Sequence, residues 1–171
     1  MLNSFRLVIF DADGTLWHRD TRQILPGVAE WFSTARRPHL AIATNQGGAG
    51  LRYWMETAGF GDPSRYPTAS QVSYWYGQLA GHLSIEQVYM CYAYQSTKGT
   101  WGPTPPHTAH PERWRHAWRK PAPGMLLQAM ADYRIPPPLT LMVGDSADDE
   151  AAAQSAGCFF MWAHHFFGRA K

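Results

Sequence analysis

The residues of this chain that can do chemistry sit where apolar runs stop abruptly. Val8-Ile9-Phe10 runs into Asp11-Ala12-Asp13-Gly14, so a buried strand ends in two carboxylates and a turn-former. Two further apolar runs end the same way. Residues 39–43 meet Thr44-Asn45-Gln46, and residues 139–143 meet Gly144-Asp145-Ser146, with Asp148 and Asp149 close behind. Lys120 heads another segment, just before Pro121. A D-x-D pair by itself reads as a strand end with an Asx-turn. Crowded carboxylates, however, are costly unless a cation, a proton or a phosphoryl group uses them. With a hydroxyl, an amide and one lysine added, the set suits a phosphoryl group and a divalent cation. Mg2+ prefers one or two carboxylates plus phosphate oxygen and water, and lysine offers phosphate a point charge.

These clusters can cooperate only if a scaffold brings them together. After the first strand, residues 17–25 are polar and short, enough for a flap. The spacing then predicts a helix over 28–35, led by Pro26-Gly27, with Val28, Trp31 and Phe32 on one face. The second strand, 39–43, is followed by Gly47-Gly48-Ala49-Gly50, read as a flexible exit, and a short helix over 51–58. A stronger helix is expected over 70–83, capped by Ser70, with Val72, Trp75, Leu79 and Leu83 spaced three or four apart. Residues 85–92 read as a third strand. Residues 94–118 form an irregular loop rich in Pro, His and Gly, of a length that is functional or mobile in compact domains. A helix opened by residues 120–124 runs to about Tyr133 over Met125, Leu126, Ala129 and Met130. The strand 139–143, a helix over 151–156 closed by Gly157, a fifth strand over 158–162 and a solvated tail at His164-His165 complete the chain. Strands alternating with helices predict an α/β fold with a parallel five-stranded sheet and helices on both faces. All strand ends then lie on one edge, where open α/β sheets keep their sites, so the polar clusters should converge.

At 171 residues, 45% apolar and 16% charged, the chain suits one globular domain spanning 1–171. A net charge of +2 is too small to argue for nucleic acid. The amino-terminal apolar run is too short for a signal peptide or a membrane span. Cys91 and Cys158 make neither a C-x-x-C pair nor a disulfide framework, so a reducing cytoplasm is the expected compartment. Five of the eight tryptophans fall between Gly47 and Arg119, which marks that stretch as a place for a partner to touch.

Four motifs in order resemble the haloacid dehalogenase-like (HAD) phosphohydrolase superfamily: D-x-D-G-T-L at 11–16, Thr44 ending a strand, K-P-x-P-G-M at 120–125 and G-D-S-x-x-D at 144–149. The resemblance implies a Rossmann-like core and a role for each position. Asp11 would be the nucleophile that forms an aspartyl-phosphate. Asp13 would protonate the leaving oxygen and then deprotonate water. Thr44, Asn45 and Lys120 would bind the phosphoryl group. Asp11, the Asp13 backbone carbonyl and Asp145 would hold Mg2+, with Asp149 orienting Lys120 or the metal's waters. Thr44-Asn45-Gln46 and residues 119–125 most resemble the histidinol-phosphatase and heptose-bisphosphate-phosphatase branch, in which Arg119 matches a position that helps hold substrate. Polynucleotide 3′-phosphatases share the T-N-Q element. The chain departs from the branch twice: the fixed arginine after the Gln is out of step, at Arg52, and the branch's cysteine zinc loop is replaced by Cys91-Tyr92-Ala93 and His116-Ala117-Trp118.

Three other features carry two readings each. Cys91, His107, His110 and His116 could supply mixed zinc ligands, but they match no common zinc spacing, and purified protein is expected to hold no stoichiometric zinc. Trp101, Trp114 and Trp118 could stack bases, or could pack the loop against the domain, the plainer role. Residues 47–50 resemble a phosphate cradle without its pattern. The enzyme is expected to be capless, its rim built by the 94–118 loop, with Lys98, Arg113 and Arg115 attracting a second anionic group on a small phosphorylated substrate. Two functions therefore stand. One is a Mg2+-dependent phosphomonoester hydrolase acting on a small metabolite or, alternatively, a nucleic-acid 3′ end. The other is a non-catalytic phosphate- or protein-binding module on the same fold.

Overall fold

The strand that runs into Asp11, β1 (Leu7–Phe10), is buried on both faces, as an uninterrupted apolar run requires. In the computed structural model, which describes residues 4–33 and 38–170, β1 is the middle strand of a parallel sheet. It pairs with β2 (His39–Asn45) and β4 (Thr140–Gly144), and β3 (Gln87–Cys91) and β5 (Phe159–Trp162) lie outside them, in the order β3-β2-β1-β4-β5. Val8 and Phe10 face one core, Leu7 and Ile9 the other. Against the first pack α1 (Val28–Phe32), α3 (Ala69–Leu83) and α6 (Ala163–Phe166), with Ala49 and Tyr53 from α2 (Gly47–Ala58). Against the second pack α4 (Gly124–Tyr133) and α5 (Ala147–Ala156). The α/β class, the five parallel strands and the two helical layers agree with the sequence reading. No described helix is long and apolar enough to cross a membrane.

Several local expectations need correction. Residues 47–50 are not a flexible exit but the first turn of α2. Gly50 is buried there because a Cβ would run into the Tyr92 carbonyl, so glycine serves close packing. Helix α3 is capped by Thr68, not Ser70: the Thr68 hydroxyl accepts the Gln71 N–H at 3.1 Å and Gln71 Oε1 accepts the Thr68 N–H at 2.8 Å. Starting there, the helix turns Val72, Tyr76, Leu79 and Leu83 inward, and Trp75 is only half-buried. The α1 end expected at Ala35 lies outside the described residues. His164 and His165, expected in a solvated tail, stand in a short helix, α6, whose neighbouring rings are packed. Phe166 and Phe167 pack their rings 5.6 and 6.0 Å from Phe10, which also meets Trp31 and Phe32 at 5.5 Å. Burying each such ring is worth about 1.5–3 kcal/mol, which helps to hold the one-turn helix α6 in place. Strand limits differ from the expected ones by a residue or two.

Candidate active site

Register aligns the strand ends. Phe10 lies opposite Ile42 on β2 and Val143 on β4, so Asp11, Thr44 and Asp145 leave the sheet on one edge. Gly14 adopts φ 81°, and a Cβ there would collide with the Asp145 carboxylate, so this glycine lets the loops after β1 and β4 meet. After β4, Ser146 caps α5, and Asp149 Oδ2 accepts both the Ser146 N–H at 3.1 Å and its hydroxyl at 2.7 Å. This capping box starts α5 at Ala147, four residues earlier than expected, and turns the other Asp149 oxygen to Lys120 Nζ at 2.5 Å. Lys120 also reaches Asp11 Oδ1 at 2.6 Å. Its backbone is clamped by Asn45, whose amide accepts the Lys120 N–H at 3.0 Å and donates to its carbonyl at 2.8 Å. The Asn45 side chain, expected on the phosphoryl group, is therefore spent on holding the lysine.

Around Lys120 this floor is dry and charged, and it opens to solvent at Asp145. Lys120 is 2% exposed and Asp149 1%. Burial pushes the Asp11 carboxyl up to about 7 against the pull of Lys120, and Asp149 adds to the rise. On Lys120 burial opposes the charge, but Asp11 and Asp149 outweigh it and hold the ammonium above its ordinary range. Burial and the charge of Asp149 also raise Asp145. Three carboxylates thus face one ammonium, leaving a negative surplus. Oxygens of Asp11, Asp145 and Asp149 lie within 4.8 Å of one another, hard donors at a spacing that fits a small divalent cation. Asp149, expected farther out, stands inside this group.

Asp13 is held apart from that group. Its carboxylate accepts from Trp17 Nε1 at 2.8 Å, from the Tyr76 hydroxyl at 2.8 Å to either oxygen, and from Gln46 Nε2 at 3.0 Å. Gln46 Nε2 is also 3.0 Å from the Thr44 hydroxyl. Burial, with the charge of Asp13 adding, pushes the Tyr76 phenol far above its ordinary range, so it stays a donor. Sequence reasoning missed Trp17, Gln46 and Tyr76. For Tyr76 a signal existed: the Val72 to Tyr76 spacing fits an inner face as well as Val72 to Trp75 does.

A cavity of about 730 Å³ opens over the floor. Its walls carry Arg19 and Arg22 from the flap, Arg65 and Tyr66 from the connection before α3, and Arg119. Arg22 lies 3.6 Å over the Trp75 ring, and Arg119 donates to the Ala93 carbonyl at 3.1 Å. The expected rim is only partly right. Tyr94 lines the cavity, but Lys98, Arg113 and Arg115 do not. Arg113 instead bonds the Ser73 and Tyr92 hydroxyls at 3.4 Å. Arg52 is tied to Glu56 and to the Tyr66 carbonyl, each at 2.8 Å, and also stands outside the cavity lining. The loop tryptophans pack: Trp101 stacks on His116 at 3.8 Å, Trp114 is buried against Tyr53 and Tyr92, and Trp118 lies by Tyr89. Cys91 is buried, which pushes its thiol up to about 11, and it donates to the Arg115 carbonyl at 3.7 Å.

The chain has known relatives. Residues 117–163 match the HAD-hydrolase-like family model. Over 161 residues the chain is 26% identical to the D-glycero-beta-D-manno-heptose-1,7-bisphosphate 7-phosphatase of Haemophilus ducreyi, covering 89% of this chain and 79% of the relative. Two solved structures share the fold. The D,D-heptose 1,7-bisphosphate phosphatase of B. bronchiseptica, complexed with magnesium and phosphate, superposes with a TM-score of 0.61 at 22% identity, covering 91% of this chain and 79% of that one. A Mesorhizobium loti protein assigned as HAD-like phosphatase gives 0.63 at 23% identity, covering 90% and 69%. With its four motifs gathered on one sheet edge, the chain is similar in sequence and fold to HAD-like phosphatases.

Proposed function

We propose that this protein is a phosphomonoester hydrolase, working as one domain through an aspartyl-phosphate with the aid of Mg2+. One arrangement carries the reading: a buried lysine shared by Asp11 and Asp149 on the floor of an open cavity, with a second acid, Asp13, two residues from the first. An Asp11 carboxylate oxygen attacks phosphorus in line with the departing oxygen. The Asp11 O–P bond forms as the P–O bond to the leaving group breaks. Asp13 gives the leaving oxygen its proton, then takes one from the water that attacks phosphorus, which frees Asp11 and releases inorganic phosphate. Lys120 and Thr44 offset and orient the phosphoryl oxygens, and Lys120 needs little reorganisation because Asn45 already clamps its backbone. Asp11, Asp145 and Asp149 would hold Mg2+, whose charge lets an anionic nucleophile meet an anionic phosphate.

The cavity suits a small metabolite. Arg65 and Arg119 on its wall suit a second anionic group, the task expected of Lys98, Arg113 and Arg115. The Haemophilus relative is named for a heptose 1,7-bisphosphate, so phosphorylated sugars with two phosphates are the first substrates to try. An intact Asp13 favours an enzyme over a phosphate-binding module, because binding alone needs no proton-transfer acid. The test is phosphate release from an aryl phosphate with and without Mg2+. A panel of phosphorylated sugars, amino-acid precursors, nucleotides and 3′-phosphorylated oligonucleotides then follows. No turnover of any of them would leave the binding module as the reading.

A further inference from the structure

The proton-transfer acid has a support that the family motifs do not contain. Asp13 lies in the turn after β1, beside a glycine at φ 81°, and its carboxylate could rotate on two side-chain bonds. Three neutral donors stop it, and they differ in what carries them. Trp17 stands four residues from Asp13 in the segment that follows the same turn. Gln46 follows the end of β2. Tyr76 comes from the second turn of α3, a 15-residue helix packed on the sheet, 63 residues away in sequence. Its hydroxyl is 2.8 Å from both Asp13 oxygens, so the phenol oxygen caps the carboxylate between them, and rotation about the Cβ–Cγ bond loses one contact. The ring is 3% exposed and meets Trp17 edge-on at 5.1 Å.

We infer that Tyr76 is a positioning residue: from a rigid helix it fixes the plane in which the Asp13 carboxylate meets the leaving oxygen. The inference rests on the reading of Asp13 as general acid. Proton transfer by a placed side chain is worth about 10²–10⁴-fold, and a misplacement of about 1 Å can cost about 10²-fold. The signature of such a role is dependence on the leaving group. An alkyl phosphate needs the proton, whereas 2,4-dinitrophenyl phosphate departs without it. Phosphate release measured as kcat/KM reports the step that breaks the P–O bond, independent of later hydrolysis of the intermediate.

The experiment measures kcat/KM across a series of alkyl and aryl phosphates for the parent protein, Asp13→Asn, Tyr76→Phe and Trp17→Phe, with melting temperatures alongside. Tyr76→Phe keeps the ring against Trp17 and should melt near the parent. It should lose about 10- to 100-fold on the alkyl phosphate and less than about 3-fold on the dinitrophenyl ester, steepening the leaving-group dependence in the direction of Asp13→Asn. Trp17→Phe should change the slope less. A steep slope in Asp13→Asn beside an unchanged slope in Tyr76→Phe overturns the inference alone. An unchanged slope in Asp13→Asn overturns the general-acid reading, and the inference with it. A steeper slope in Trp17→Phe than in Tyr76→Phe assigns the role to the flap and overturns the inference too.

Discussion

The floor and the rim of the cavity are built on opposite terms. The floor takes its carboxylates from strand ends and the first turn of α5 and its lysine from the turn before α4, and the buried charges have partners within 3.1 Å: Lys120 on Asp11 and Asp149, Asp149 on Ser146, and the Lys120 backbone on Asn45. The rim takes its cations from connections. Arg19 is 76% exposed at its side chain and lies 3.5 Å from Asp13, and Arg65 ends a one-turn 3-10 helix. Buried ions are costly unless paired and hydrogen-bonded, so the floor tolerates almost no alternative. Solvated arginines are cheap to move. The difference places the reaction where the backbone is fixed and leaves selection of the substrate to segments that can vary.

The largest break in that contrast is Asp11→Asn, which keeps volume and fold but removes the nucleophile. Uncatalysed phosphomonoester hydrolysis is so slow that turnover should fall below detection; steady turnover of an aryl phosphate by this variant would refute the covalent route. Chelation should do nearly as much, and Asp145→Ala should mimic it, because the nucleophile and the phosphate repel without a cation. Activity that survives chelator at the parent rate would remove the metal from the floor.

Stability separates the regions next. Lys120→Met leaves Asp11 and Asp149 buried and unpaired and should cost about 3–5 kcal/mol in urea unfolding without added metal. A loss below about 1 kcal/mol would mean the floor is far wetter than its burial implies. On the rim, Arg65→Ala with Arg119→Ala should raise KM for a sugar bisphosphate about 10- to 100-fold and for a small aryl phosphate only slightly, since both act through remote binding. Equal changes on the two substrates would place the second anionic group elsewhere. The smallest effect is expected of Arg52→Ala: roughly 0.5 kcal/mol from the pair with Glu56 and no change in KM. A clear rise in KM would return Arg52 to the list of substrate contacts.

How far each region can be read from the sequence follows the same division. Floor residues announce themselves because the signals are local. An apolar run that stops at a carboxylate marks Asp11, and S-x-x-D spells the capping box that aims Asp149, although α5 starts earlier than its alanines suggest. Rim residues mostly do not. Lys98, Arg113 and Arg115 look like substrate readers by composition, yet Arg113 is turned to Ser73 and Tyr92, and the cavity takes Arg65, which no local signal marks, beside Arg119, which only the family resemblance marked.

The parallel strands, the helical layers and the convergence of Asp11, Thr44 and Asp145 were decided by periodicity and by the rule that parallel strands end on one edge, whereas the strand order came from the tertiary structure. The partners of Asp13 were not. Trp75 and Tyr76 are adjacent on α3 and both are amphipathic, so the periodicity of a single helix fits either one inward. The Thr68 cap sets the phase of that helix, and packing against the sheet brings Tyr76 to a carboxylate 63 residues away. A local pattern carries the spacing along one element but not the rotation of that element against another. Only tertiary packing, where buried polar groups must find partners, selects that rotation.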